Sequence, residues 1–73
     1  MDSMALERFY REGLEERIIA ETVRRNNVSY EKAMDLYYTS RLCGMIERGE
    51  YDIQYLDYRL LTQYLIDEIE EIK

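Results

Sequence analysis

No proline interrupts this chain of 73 residues, and its apolar side chains recur at spacings of three and four. Together these two features constrain the fold more than anything else in the sequence. Proline would end or kink a helix, and apolar residues at i, i+3, i+4 and i+7 mark a helix with one buried side. The cleanest run is C-terminal. Tyr58, Leu61, Leu65, Ile69 and Ile72 form a stripe, with Arg59, Gln63, Asp67 and Glu70 opposite. Asp57 is placed to cap this helix, with Leu56 and Leu61 as its hydrophobic staple.

The same spacing predicts a first helix from about Ala5 to Arg25. Leu6, Phe9, Tyr10, Leu14, Ile18, Ile19 and Val23 make its apolar side, and Ser3 or Asp2 supplies a cap. Glu7–Arg11 and Glu21–Arg25 sit at i,i+4 in the favourable order. Gly13 is the weak point, costing about 1 kcal/mol against alanine. Either the helix bends there or residues 1–12 form a separate arm. Ser29 then caps a second helix, Tyr30 to Tyr38, with Val28 and Ala33 as its staple. After Thr39 and Ser40 the apolar direction turns, which predicts a short third helix, Arg41 to Arg48. One continuous helix buried on several sides is the competing reading. Gly49 is placed to close the third helix in a left-handed conformation.

Between Gly49 and Asp57 the pattern changes. Tyr51, Ile53 and Tyr55 alternate with Asp52 and Gln54, and period two marks an extended segment with one buried face. A last helix starting at Ile53, capped by Asp52, is the rival reading. The expected architecture is all-α: one domain over residues 1–73, a bundle of three to four helices with a short extended segment near residues 50–56.

Charge and composition exclude more than they assign. The net charge is −6. Residues 49–73 carry seven acids and two bases, so −5 of the total lies in the last third. Phosphate binding depends on Lys and Arg releasing counterions, so nucleic acid is a poor partner. The third helix, read as a recognition helix, would offer only Arg41 and Arg48. No histidine is present, which removes the commonest general base and metal ligand and the Ser-His-Asp and Cys-His arrangements. Gly13, Gly44 and Gly49 stand apart and form no phosphate loop. Asp67–Glu71 and Glu12–Glu16 share helix faces but lack the loop that gathers calcium ligands. They read as solvated faces. No catalytic residue, cofactor or metal is expected. The single cysteine, Cys43, allows no internal disulfide and reads as a buried thiol. No apolar run approaches the roughly 18 residues of a membrane span, and the charged N-terminus is unlike a signal peptide. The chain reads as cytoplasmic.

The eight tyrosines are the most informative residues. Tyr30, Tyr37 and Tyr58 are expected to line the core. A core this small cannot hide all eight, and tyrosine is favoured at interfaces. Tyr10, Tyr38, Tyr51 and Tyr55 are therefore interface candidates. Ile53 joins them, because the open backbone of residues 50–56 could accept a strand from a partner or a second copy.

The stretches NNVSYEKAMDLYYTSRLCGMI and GEYDIQYLDYRLLTQYLIDEI, within residues 14–70, resemble a group of small uncharacterised bacterial proteins. Their pattern is a leading helix, a Ser-capped helix ending in an aromatic and a serine, a short helix, a glycine–tyrosine turn and an acidic final helix. The group's glycine–apolar–tyrosine turn is Gly49-Glu50-Tyr51 here. Such genes often lie beside putative toxins of the ADP-ribosyltransferase type. The resemblance implies a non-catalytic, antitoxin-like protein that masks another protein, with a toxin encoded nearby as the candidate partner. A DNA-binding regulator of its own operon is the alternative.

Overall fold

The computed structural model describes residues 3–72. Helix α1 spans Ser3–Asn26, α2 Tyr30–Tyr38, α3 Arg41–Arg48 and α4 Tyr58–Ile72. A short 3-10 segment, Glu50–Tyr55, joins α3 to α4. Among the described residues there is no strand, and the architecture is the all-α bundle that the apolar spacing predicts.

The caps explain why these helices begin and end where they do. The Ser29 hydroxyl accepts from the Lys32 N–H at 3.0 Å, satisfying a donor that the first turn of α2 leaves free. Two residues separate α2 from α3. Ser40 closes the gap by accepting from the Cys43 N–H at 3.1 Å. Gly49 ends α3 with φ +67°, and Asp57 Oδ1 accepts from the Arg59 N–H at 2.9 Å to start α4. The sequence places α2 and α3 as two helices, and the structure agrees. α1 runs unbroken through Gly13. Ser3 is already helical, and Asp2 lies outside the described residues.

The core is built from Leu14, Ile18 and Ile19 of α1, Ala33 and Tyr37 of α2, Leu42, Cys43 and Ile46 of α3, Ile53, and Leu61 and Leu65 of α4. Val23, Val28, Met45, Tyr58 and Ile69 pack around it. Thr22 and Thr62 are fully buried as well. Each hydroxyl donates to the carbonyl four residues back, Ile18 at 2.8 Å and Tyr58 at 2.7 Å, so neither leaves a polar group unpaired. Arg25 joins α1 to α4 by donating to the Arg59 carbonyl and the Gln63 amide oxygen, both at 3.2 Å.

One expectation needs correcting. Residues 50–56 are not extended. Tyr51 and Asp52 have φ of +56° and +54°, and the backbone bonds to itself through Asp52 N–H to Gly49 O and Leu56 N–H to Ile53 O. An extended segment would need a second strand to pair its backbone groups, and the described residues offer none. Local turns satisfy those groups instead, although left-handed non-glycine residues cost about 1–2 kcal/mol each. The segment therefore presents no strand edge to a partner. The apolar spacing of α1 starts at Leu6, but burial begins at Leu14; Leu6, Phe9 and the interface candidate Tyr10 are exposed. A 24-residue helix is about 36 Å long and the 15-residue α4 about 22 Å. The bundle covers only part of the longer helix.

Candidate interaction surface

Of the three tyrosines expected in the core, Tyr37 is fully buried, Tyr58 is half-buried and Tyr30 is exposed. Tyr30 lies in the first turn of α2, in line with Tyr37 along the helix, yet it is 47% exposed. The Tyr37 hydroxyl donates to Glu15 Oε2 at 2.7 Å. Glu15 is itself only 8% exposed. Burial first, and then the Glu15 carboxylate, push the Tyr37 phenol far above its ordinary 10.0. Near neutral pH it is therefore a protonated donor.

Glu15, Cys43 and Glu47 bring one carboxylate oxygen, the thiol and a second carboxylate oxygen within 4.8 Å of one another. Sequence spacing gives no hint of this group, because Glu15 comes from α1 and the others from α3. Burial and the charge of Glu47 raise the Cys43 thiol above its ordinary value. A raised thiol holds little thiolate near neutrality and is a poor nucleophile. The group closes the junction of α1, α2 and α3.

The five interface candidates fall into separate places. Tyr10 and Tyr55 come together, with ring centroids 5.6 Å apart. They line a groove of about 410 Å³ with Leu6, Ile46, Arg48 and Gln54. Ile53 is buried, and it lines a second groove of about 290 Å³ between α3 and α4. Leu42, Met45 and Tyr64 line it as well, together with Asp67, Glu68 and Glu71. Tyr38 packs edge-on against Tyr37 at 5.2 Å and is otherwise exposed. Tyr51 is 89% exposed and lines neither groove. Tyr64, which the sequence reading passed over, lies on the second stripe of α4, with Leu60 one turn before it. Both are exposed. A second apolar pair at i,i+4 was the available signal.

Glu68 accepts from the Arg41 backbone N–H at 2.8 Å, anchoring the start of α3, while the Arg41 guanidinium pairs with Glu71 at 2.9 Å. Arg48 pairs with Glu50 at 2.6 Å. Both basic residues of α3 are thus held by carboxylates. Asp67 accepts from Gln63 at 2.9 Å.

The most perturbed acid is Glu21, buried on α1 and bound by Arg24 and Arg25. The two guanidinium groups lower its carboxyl from 4.5 to about 2. A depressed carboxyl stabilises the fold above its unfolded value, and that contribution fades as pH falls toward the folded value. Thermal melts should therefore lose midpoint between pH 4.5 and about 2. Glu21→Gln, less stable near neutrality, should show a shallower fall across the same window. Equal slopes for the two proteins would remove Glu21 as the cause.

No family model, curated protein or solved structure matches this chain. Among the described residues no helix is long and apolar enough to cross a membrane.

Proposed function

We propose that this chain is a non-catalytic, cytoplasmic protein that masks another protein through an acidic, tyrosine-bearing surface, in the manner of an antitoxin. The observation that carries the reading is the groove between α3 and α4. Its lining joins Leu42, Met45, Ile53 and Tyr64 to three carboxylates and one guanidinium. Tyrosine gives large rigid contact area with a polar tip. A partner that fits would insert an apolar side chain and bring cationic groups to Asp67 and Glu71. The resemblance to bacterial proteins encoded beside putative ADP-ribosyltransferase-type toxins supplies the class of partner. DNA binding is the weaker reading, because Arg41 and Arg48 are already paired with carboxylates.

The test is a tagged chain purified from its native host, with the mass of the complex read by light scattering. A second protein in stoichiometric amount is expected, and Tyr64→Glu should release it while circular dichroism shows the fold intact. A chain recovered without such a protein, or a partner indifferent to Tyr64→Glu, would sink the proposal. Retention of upstream DNA that raised salt releases would restore the operon-regulator reading.

A further inference from the structure

A further exposed apolar cluster lies outside the α3–α4 groove. It lies on the first turns of α1. Leu6 and Tyr10 are about half exposed, and Phe9, the only phenylalanine in the chain, is 73% exposed. Tyr55 braces Tyr10 from the 3-10 segment. Contiguous exposed aromatic and aliphatic side chains mark an interaction site.

We propose that this face of α1 is a two-fold interface with a second copy of the same chain. The argument rests on self-complementarity. Most of a −6 surface repels its own copy, but residues 4–13 carry Glu7, Arg8, Arg11 and Glu12, two of each sign. Arg8 and Glu12 have no ionic partner among the described residues of their own chain. At about 100° per residue, Leu6 and Tyr10 fall on one edge of Phe9 and Arg8 and Glu12 on the other. Ala5 and Gly13 lie nearly in line with it.

When two copies of a helix pair antiparallel about a two-fold axis, each edge meets its own counterpart. With Phe9 at the axis, the apolar edge of one copy lies on the apolar edge of the other. Arg8 of each copy reaches Glu12 of the other, so one complementary pair is made twice. Ala5 faces Gly13, and a Cβ at Gly13 would meet nothing within 4 Å, so the backbones can approach closely. A like-charged edge would repel itself across such an axis. The opposite signs at Arg8 and Glu12 instead favour a second copy as the occupant.

This inference is independent of the masking partner, which uses the other groove, and its test uses different variants. Sedimentation equilibrium of the full chain, from micromolar to millimolar concentration, should show the mass rising from 8.9 kDa to twice that value. The melting midpoint should rise with concentration as the dimer fills. Phe9→Glu, at an exposed position, should keep the helical signal and raise the dissociation constant by ~30-fold or more, as for a central anchor. Arg8→Glu and Glu12→Arg should each weaken the dimer, and the double swap should restore it. A wild-type mass of 8.9 kDa throughout would overturn the proposal. So would a dimer that survives Phe9→Glu, or a double swap no tighter than either single variant.

Discussion

Leu65→Ala will leave much of the chain unfolded at room temperature. Leu65 is fully buried, and truncating such a leucine costs about 2–5 kcal/mol, through lost transfer energy and the cavity left behind. A domain of this size rarely holds more than about 3–5 kcal/mol in total, so the loss takes most of what is available. The matched control is Leu60→Ala on the same helix. Leu60 is exposed, and its truncation should change stability by no more than about 0.5 kcal/mol. Urea melts followed by circular dichroism, at one protein concentration, give both values. A Leu65→Ala loss below about 1 kcal/mol would mean that α4 is not packed as described.

Tyr37→Phe will cost about 1–3 kcal/mol although it removes a single oxygen atom, because it leaves the buried Glu15 carboxylate without its donor. The two groups sit 22 residues apart in sequence, so the bond ties α1 to α2. Glu15→Gln should also destabilise, and the double variant should lose less than the sum of the singles. A coupling of about 0.5–3 kcal/mol is expected for groups in direct contact. Additive losses would show that the bond contributes nothing of its own. The pH dependence has a definite sign. A phenol whose folded value is raised stabilises the fold fully below its unfolded value of 10.0, and that contribution is lost as pH rises beyond it. Wild type should therefore weaken above pH 10.0, and Tyr37→Phe should weaken less steeply there.

Both predictions concern the core, and the core was only partly legible from the chain. Leu61 and Leu65 were legible because a stripe at spacings of three and four can bury only one side of a helix. Tyr37 was legible for the same reason, but its partner Glu15 was not. Glu15 follows Leu14 on α1, and nothing local says that a carboxylate there turns inward to meet a hydroxyl from another helix. Thr22 and Thr62 are buried for a related reason. A threonine that bonds its own helix carries no polar cost into the core, and the spacing pattern scores it as polar all the same.

The interaction surface was less legible still. Tyr10, Tyr38, Tyr51 and Tyr55 were singled out because eight tyrosines exceed what a small core can hold, and all four are exposed. That count did not say which of them would meet. Tyr10 and Tyr55 are brought together only because the 3-10 segment folds back toward α1. Ile53 was chosen for a strand edge that does not exist, and it lines a groove instead.

The sequence by itself determined the helices and their ends. Ser29, Gly49 and Asp57 act within a few residues of themselves, through hydrogen bonds and φ preferences that need no distant neighbour. Only the tertiary structure decided which apolar residues are covered. An apolar stripe records which side of a helix could be buried, while burial requires another element of sufficient length. α4 is too short to cover α1 beyond about Leu14, so one continuous stripe becomes core at one end and exposed surface at the other. The period-two run at residues 51–55 met the same limit. Alternation describes side chains, but an extended backbone needs a partner strand, and without one the chain closed its hydrogen bonds locally.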